Sequence, residues 1–492
     1  MNETTRLPAG DKNRISYLKK RLIELNALEN YPMTDMGAAQ LFSDVFRDEC
    51  RFNSTAGEWF HYDGKVWNID RGGLFARSAA KDLSRSLAIY APDAAHTDID
   101  FQSYISYAKK WSGARFRNIV IQDSRDVFFF NNEQLDCNDY VLNVQNGILV
   151  LGKDKVEFAP HNADQLLSKI CNASYDPNAK CERWGKFLFE IMEGDEAKIR
   201  YLQKLFGVCL TGDVRLEKMW FLFGASTRNG KSTLIESISH VLGTYAETIR
   251  PETLAIKNNP DSRTASPDVA KLAGTRLVVC SEPPKRMALD TGLIKNLTGR
   301  DTITARFLHQ CEFSFIPKFK LVCNTNYLPV VSDTTVFTSG RVQVVNFGKH
   351  FSEDEQDKTL KSKLHSDEAL SAILNWCIEG WLLFCKEGLE APEAVQNSTM
   401  EYAGNSDKIQ NFIDDCLEKS NSNVSIKDTY ERYGKWCGEN GFFVENKRNF
   451  IDEIRNKGIF SERGMVSGKQ VRNIIKGYNF AFVDADESTP FD

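Results

Sequence analysis

One stretch limits this chain more than any other: Phe221-Leu-Phe-Gly-Ala-Ser-Thr-Arg-Asn-Gly-Lys-Ser-Thr-Leu-Ile-Glu-Ser-Ile238. An apolar run ends at Gly224, a small polar loop follows, and an amphipathic helix opens at Gly230-Lys231-Ser232-Thr233. Strand, loop and helix in that order aim backbone N–H groups and a helix N-terminus into one pocket, which suits phosphate oxygens. The expected cradle is Gly224, Ala225, Ser226, Thr227, Arg228, Asn229, Gly230, Lys231, Ser232 and Thr233. Lys231 is placed to neutralise the β- and γ-phosphates and the Ser232 hydroxyl to ligate Mg2+, so ATP and Mg2+ are the expected cofactors. The spacing departs from G-x-x-x-x-G-K-[S/T], because five residues separate Gly224 from Gly230 and Ala225 stands in the place of the first glycine. The loop therefore reads as one residue longer, with the same chemistry.

Residues 213 to 350 alternate apolar runs with helical segments, the α/β pattern of a parallel sheet. The strand candidates are Met219-Trp-Phe-Leu-Phe, Arg276-Leu-Val-Val-Cys, Phe319-Lys-Leu-Val-Cys and Val342-Gln-Val-Val-Asn-Phe. A bound phosphate is not hydrolysed without further groups, and three positions offer them. Leu277-Val-Val-Cys-Ser-Glu282 ends in an acid at the expected tip of a neighbouring strand, where Mg2+ is held or the attacking water polarised. Glu282 takes that work, with Ser281 before it holding a metal-bound water. Leu321-Val-Cys-Asn-Thr-Asn-Tyr-Leu-Pro supplies an amide to sense the γ-phosphate and orient water. Asn326 is the choice and Asn324 the reserve, since an Asn-x-x-Pro turn also has a structural use. Arg341 closes Asp333-Thr-Thr-Val-Phe-Thr-Ser-Gly-Arg just before a strand, where an arginine is suited to reach the γ-phosphate of the next subunit. Such a finger is worth ~10³–10⁵ in rate where it has been measured. Taken alone, Arg341 reads as a surface arginine; the order of the four features argues otherwise.

The rest of the chain is ordinary globular sequence: 492 residues, 62 basic against 67 acidic (net −5), 42% hydrophobic. That length gives a prior of about three domains. The twelve cysteines form no C-x-x-C pair or His/Cys cluster, so a zinc ribbon or redox motif is not written here, and reduced thiols in a cytoplasmic protein are expected. The N-terminus lacks a signal-peptide layout, and runs such as Trp381-Leu-Leu-Phe-Cys fall short of the ~20 apolar residues that span a bilayer. Ile15 to Leu25 reads as a short helix in a mobile or docking arm. Asp63-Gly64 between apolar runs predicts a hairpin. Trp184 to Met192 and Lys198 to Leu210 predict two helices before the central segment, and Glu390-Ala-Pro-Glu-Ala-Val-Gln-Asn-Ser a hinge.

From Lys447 to Lys476, the basic residues Lys447, Arg448, Arg455, Lys457, Arg463, Lys469, Arg472 and Lys476 face only Asp452, Glu453 and Glu462. An amphipathic helix from Asn446 ended by Gly458, a turn-rich stretch from Ser461 to Gly468 and a strand-like segment give a winged-helix order, whose second helix is suited to a major groove. Lys447, Arg448, Arg455 and Lys457 are the expected DNA contacts there. The acidic tail carries Asp484, Asp486, Glu487 and Asp492.

Together Asn229-Gly-Lys-Ser-Thr, Arg276-Leu-Val-Val-Cys-Ser-Glu-Pro, Leu297-Thr-Gly-Arg-Asp-Thr-Ile-Thr-Ala-Arg, Thr325-Asn-Tyr-Leu-Pro and Gly340-Arg341 resemble the ordered motifs of superfamily 3 helicases. The phage/plasmid primase–helicase group is the nearest in pattern, with the satellite-phage replication protein and the poxvirus replicative helicase. The region from Thr34 to Asn146-Gly is similar to the pre-helicase domain of that group, and Tyr430-Glu-Arg-Tyr-Gly-Lys-Trp-Cys to the start of its winged-helix domain. Gly340 stands where many relatives carry a second arginine, so the finger falls on Arg341 alone. About thirty residues precede the pre-helicase region, so the resemblance implies a helicase without its own primase, with any priming from a separate protein.

The fold implied is an AAA+-type P-loop core with an α+β N-terminal domain and a C-terminal winged-helix domain. The boundaries are an arm over 1–32, a pre-helicase domain over 33–175, the helicase domain with leading helices over 176–390, the winged-helix-like domain over 391–480 and a tail over 481–492. The resemblance further implies a ring, a hexamer, drawing one strand of single-stranded or forked DNA through its pore 3′ to 5′ in a host bacterial cytoplasm. Its DNA-contacting hairpin falls on Arg306-Phe-Leu-His-Gln-Cys-Glu-Phe-Ser-Phe, with Arg306, Phe307 and His309 as contacts and the tip near His309 and Gln310. Backbone phosphates, bases and sugars are contacted there without sequence readout. The leading expectation is thus an ATP-driven replicative DNA helicase of a phage, plasmid or mobile element. The alternative is an ATP-switched DNA-binding initiator without processive unwinding, and a third is an ATPase acting on another substrate, such as a packaging motor.

Overall fold

A computed structural model of the protein describes residues 12–92, 101–256 and 266–481, apart from positions 286, 309–311, 332, 441, 443 and 467. His309, Gln310 and the acidic tail lie outside the described residues.

The first body sets helices Lys12–Glu24, Asp35–Val45, Leu74–Tyr90, Phe101–Ser112 and Ala114–Asp123 beside a four-stranded sheet. Its strand order is Trp67–Asp70, Glu58–Tyr62, Cys50–Asn53, Phe129–Phe130. The expected Asp63-Gly64 hairpin forms, with Tyr62 opposite Trp67 and the Asp63 carboxylate accepting from the amides of Lys65 and Val66 at 2.9 Å each. The segment read as an arm is corrected: Ile15, Leu18 and Leu22, at helical spacing, are buried in this body. Buried Arg14 on the same helix pairs with Glu49 at 2.8 Å and Asp82 at 3.0 Å. The polar residues that suggest a solvated arm, among them Ser16, Lys20 and Glu24, occupy the opposite, exposed face, and a boundary at residue 32 cuts through one core.

An antiparallel sheet of Val141–Val144, Gly147–Leu151 and Val156–Ala159 follows, then helices Glu182–Ile191 and Glu196–Val208. The central sheet has five parallel strands in the spatial order Val342–Asn346, Met219–Phe223, Lys320–Thr325, Leu277–Ser281, Ala246–Ile249. Alternate residues bury on opposite faces: Trp220, Leu222, Val322 and Val345 on one, Met219, Phe221, Leu321 and Val344 on the other. Both faces are thereby covered, as a parallel sheet requires. Two sequence expectations change here. The strand Ala246–Ile249 is additional, its apolar pattern broken by Glu247 and Thr248 because it is an edge. The strand ending at Ser281 is not adjacent to Met219–Phe223, because Lys320–Thr325 lies between them; chain order does not dictate spatial order when each connection is a crossover.

The Asp367–Glu387 helix is long and apolar enough by length and composition to cross a bilayer, but it lies in this core, against Glu196–Val208. A β-carbon on Gly380 would fall 1.9 Å from the Gln203 carbonyl oxygen, and one on Gly207 would fall 2.2 Å from the Trp381 amide nitrogen, so glycine at both positions permits the close approach. The expected hinge is corrected as well. Pro392 starts the helix Glu393–Ser406, whose Thr399 hydroxyl accepts from the Val344 amide at 3.0 Å and whose Tyr402 hydroxyl donates to the Pro329 carbonyl at 2.6 Å. This helix belongs to the central body, and the last body begins with Lys408–Cys416 rather than at residue 391. That body adds helices Ile426–Asn440 and Lys447–Asn456 and a sheet ordered Leu417–Ser425, Lys469–Phe480, Ser461–Val466. The stretch from Ser461, expected to be turn-rich, is mostly strand.

Two buried cations tie the amino edge of the central sheet to its surroundings. Arg276 donates to the carbonyls of Leu210 and Val141 and lies 4.4 Å from the Tyr245 ring centroid. Lys320 donates to the Thr211 carbonyl and, at 3.3 Å, to that of Lys318; burial pulls its ammonium down to about 8. Replacing Arg276 by Met removes donors from buried carbonyls of two different elements. Chemical denaturation is expected to show a loss of about 3 kcal/mol, the sum of two such unpaired groups; a loss under about 0.5 kcal/mol contradicts the staple.

Candidate functional site

Because the five strands run the same way, their carboxyl ends share one edge, and Lys231, Ser232, Asn324, Asn326 and Glu282 lie there. The loop after Met219–Phe223 turns back into the Lys231–Leu242 helix through Arg228 (φ 56°) and Gly230 (φ 84°). Lys231 opens that helix and is buried. Its ammonium donates to the Asn326 side-chain oxygen at 2.8 Å, to Asn229 Oδ1 at 2.9 Å and to the Gly224 carbonyl at 3.3 Å. All three acceptors are neutral. Desolvation pulls the Lys231 pKa down to about 8, against the attraction of Glu282, which raises it.

Asn326 and Asn324 both lie at this edge, with different partners: Asn326 meets Lys231, whereas Asn324 Nδ2 donates to Ser232 Oγ at 3.1 Å. Glu282 stands exposed one residue past its strand, with φ 53° and its amide bonded to the Asn324 carbonyl at 2.9 Å. Asn229 is buried and folds its amide back onto the Ser226 carbonyl at 2.6 Å. Space favours glycine at 224: a β-carbon there would lie 2.9 Å from the Phe347 main-chain carbonyl oxygen and 2.3 Å from Asn229 Nδ2.

Sequence reasoning missed the segment that holds the loop down. The His350 ring meets the Thr227 carbonyl at 2.8 Å, and the Phe351 amide donates to the Arg228 carbonyl at 2.9 Å. These contacts use main-chain carbonyls of the loop, so no residue pattern announces them.

Arg341 is elsewhere. Its carbonyl accepts from the Met219 amide at 2.7 Å, which puts it at the amino edge. A strand of five residues separates it from the Lys231 edge, ~15 Å away at ~3.3 Å per residue. Its guanidinium is held by Glu217 at 2.8 Å and the Thr298 hydroxyl at 3.0 Å.

The two further patches differ in character. Ile303–Ala305 and Phe313–Phe315 pair as an antiparallel hairpin, and Arg306 and Phe307 follow its first strand; Phe307, exposed, stacks on Phe313 with centroids 6.0 Å apart. In the last body, Arg448 is exposed, Lys447 lies over the Tyr430 ring at 5.9 Å and Arg455 pairs with Asp452 at 3.4 Å. Lys457 is not an open cation: it pairs with Asp407, the cap of Lys408–Cys416.

The loop geometry is testable without any ligand. Gly230→Ala forces a left-handed residue and sets a β-carbon 2.3 Å from Ile191 Cγ2. Denaturation is expected to show a loss of at least about 2 kcal/mol, with faster amide exchange over residues 224–234. Wild-type stability with unchanged exchange contradicts both the left-handed turn and the packing of Gly230 on Ile191.

Comparison with known proteins gives three matches to families along the chain. Residues 39–193 match the D5 N-terminal-like family, 222–341 a family of unknown function and 405–481 the poxvirus D5 protein-like family. A "Putative helicase" of Acanthamoeba polyphaga mimivirus is 29% identical over 68% of this chain and 37% of its own length. A "Putative helicase" of Invertebrate iridescent virus 3 is 22% identical over 95% of this chain and 56% of its own. A "Putative primase" of African swine fever virus is 21% identical over 69% of this chain and 37% of its own. The chain thus spans between 37% and 56% of the length of these relatives. The solved apo structure of the NrS-1 C-terminal region covers 68% of this chain and 96% of itself at 11% identity, with a TM-score of 0.41. The chain carries D5 N-terminal-like and poxvirus D5-like domains beside helicase- and primase-named relatives, a make-up consistent with a D5-type primase–helicase family protein.

Proposed function

We propose that this chain is an ATP-dependent replicative DNA helicase of a virus or mobile element, working as a ring of copies on single-stranded and forked DNA. One observation carries the reading: a desolvated lysine, Lys231, waits at the carboxyl edge with only neutral oxygens as partners. A buried ammonium without a hydrogen-bonded carboxylate favours an arriving anion, because phosphate supplies the charge that burial has removed. The donor set suits a triphosphate with Mg2+. The loop from Gly224 to Gly230 and the helix N-terminus would hold phosphate oxygens, and Ser232 with Glu282 would hold the metal, which when bound supplies charge neutralisation at the phosphates.

The chain's own groups then have distinct work. Lys231 leaves Asn326 for phosphate, which frees the Asn326 amide to orient water, while Asn324 fixes the Ser232 hydroxyl. Glu282, exposed at the same edge, is positioned to accept the proton of that water. Arg341, ~15 Å off on the opposite edge, is out of range of its own loop and acts on the triphosphate of an adjacent copy. The hairpin with Arg306 and Phe307 and the winged-helix-like last body, through Arg448, supply contacts to DNA; the helicase and primase names of the relatives support that partner.

Displacement of a labelled strand from a forked duplex tests the whole reading. Wild-type protein is expected to unwind with ATP, and Lys231→Ala to lose both unwinding and hydrolysis by at least about 100-fold. Arg341→Ala is expected to bind nucleotide yet not hydrolyse it, and mixing it with Lys231→Ala copies to restore part of the turnover. ATPase activity with DNA footprinting but no displacement leaves the initiator reading instead; wild-type turnover in Lys231→Ala refutes the site.

A pH profile gives an independent check. In the unliganded site the Lys231 ammonium titrates at about 8, and a bound polyphosphate favours its charged form. Nucleotide affinity is therefore expected to be level below pH 8 and to fall by up to about tenfold per unit above it, with proton uptake on binding. Lys231→Arg, which stays charged, is expected to show no such fall over pH 7 to 9.5; a level profile in wild type contradicts the assignment.

A further inference from the structure

We propose that Glu217 is a positioning residue for Arg341, holding its guanidinium in the orientation from which it meets a phosphate bound by a second copy of the chain. The inference rests on the finger role proposed above for Arg341.

Both terminal nitrogens of Arg341 are fixed. Nη2 donates to Glu217 Oε2 at 2.8 Å and Nη1 to Thr298 Oγ1 at 3.0 Å. Thr298 is buried and spends its own hydroxyl hydrogen on the Ile294 carbonyl at 2.7 Å, so it faces Arg341 as an acceptor only. A guanidinium has five N–H donors, and these two contacts use two of them. The fork is thus held at both tips and keeps further N–H donors for a third partner.

Glu217 itself sits with φ 48°, a left-handed backbone that glycine or asparagine adopts more readily. The pair it makes is not deep: the side chains are 21% exposed for Arg341 and 41% for Glu217. Ion pairs so open to water add little to stability. A left-handed backbone at the residue that makes so weakly stabilising a contact fits a positioning role better than a purely structural one. Preorganised donors are what a developing phosphate charge rewards, since they need no rearrangement at the moment of reaction.

The test is steady-state ATP hydrolysis by the full chain with forked DNA. Glu217→Ala is expected to lower kcat by about 10- to 100-fold, the cost of a misplaced group, with KM for ATP within about twofold of wild type. Glu217→Gly, which relaxes the backbone while removing the carboxylate, is expected to lose as much, so strain relief does not substitute for the contact. Glu217→Gln, which keeps an oxygen acceptor, is expected to recover part of the rate. Mixing Glu217→Ala with Lys231→Ala copies is expected to restore turnover, because the latter present an intact Glu217–Arg341 pair to a working phosphate loop. Wild-type kcat in Glu217→Ala or Glu217→Gly overturns the inference, as does failure of the mixture to exceed its components. Failure of the finger reading is a different result: Arg341→Ala alone then hydrolyses ATP at the wild-type rate.

Discussion

A parallel sheet with an unbroken register sorts its residues by end, and this constraint organises the central body. With Met219–Phe223 flanked by Lys320–Thr325 and Val342–Asn346, all running the same way, whatever follows each strand gathers at one edge and whatever precedes it at the other. Lys231, Asn324, Asn326 and Glu282 are far apart in the chain and meet because each lies at or past a strand's carboxyl end. Arg276, Lys320 and Arg341 lie at or just before strand starts and occupy the opposite edge. The chemistry of the two edges follows from this separation. One edge holds a lysine stripped of water and of hydrogen-bonded carboxylates; the other holds cations already satisfied by carbonyls, a hydroxyl and a carboxylate.

The site is legible in the sequence to the extent that its residues are tied to strand ends and a helix start. Gly230-Lys231-Ser232 opens a helix as the pattern implies, and Glu282 and Asn326 stand past apolar runs that are indeed strands. The sequence does not carry the lateral order of those strands, so the acid, expected beside the loop strand, lies one strand further away. The edge strand Ala246–Ile249 is hidden by polar residues that an edge tolerates. The clamp from His350 and Phe351 onto the loop runs through main-chain carbonyls, which no side-chain pattern reports.

The corrected domain limits share another cause. The helix Lys12–Glu24 looks solvated because Arg14, Lys19, Lys20 and Arg21 crowd it, but Leu18 and Leu22 are both fully buried and Arg14 is neutralised inside by Glu49 and Asp82. A buried arginine reads as a surface one until its partners, 35 and 68 positions away, are known. The stretch after Glu390 looks like a hinge because of its proline. Pro392 instead sits where a helix starts, and there it costs that helix no hydrogen bond.

The helix Glu393–Ser406 also covers one border of the central sheet. The strand Val342–Asn346 is the last of its sheet, and such a border usually offers free amides to any passing extended segment. Here Thr399 takes the Val344 amide and Tyr402 anchors the covering helix to Pro329. Sheet-to-sheet fusion through that border is blocked, so a neighbour on that flank must be recognised by side-chain shape and charge, contacts that can open and close as no shared ladder of main-chain bonds would allow.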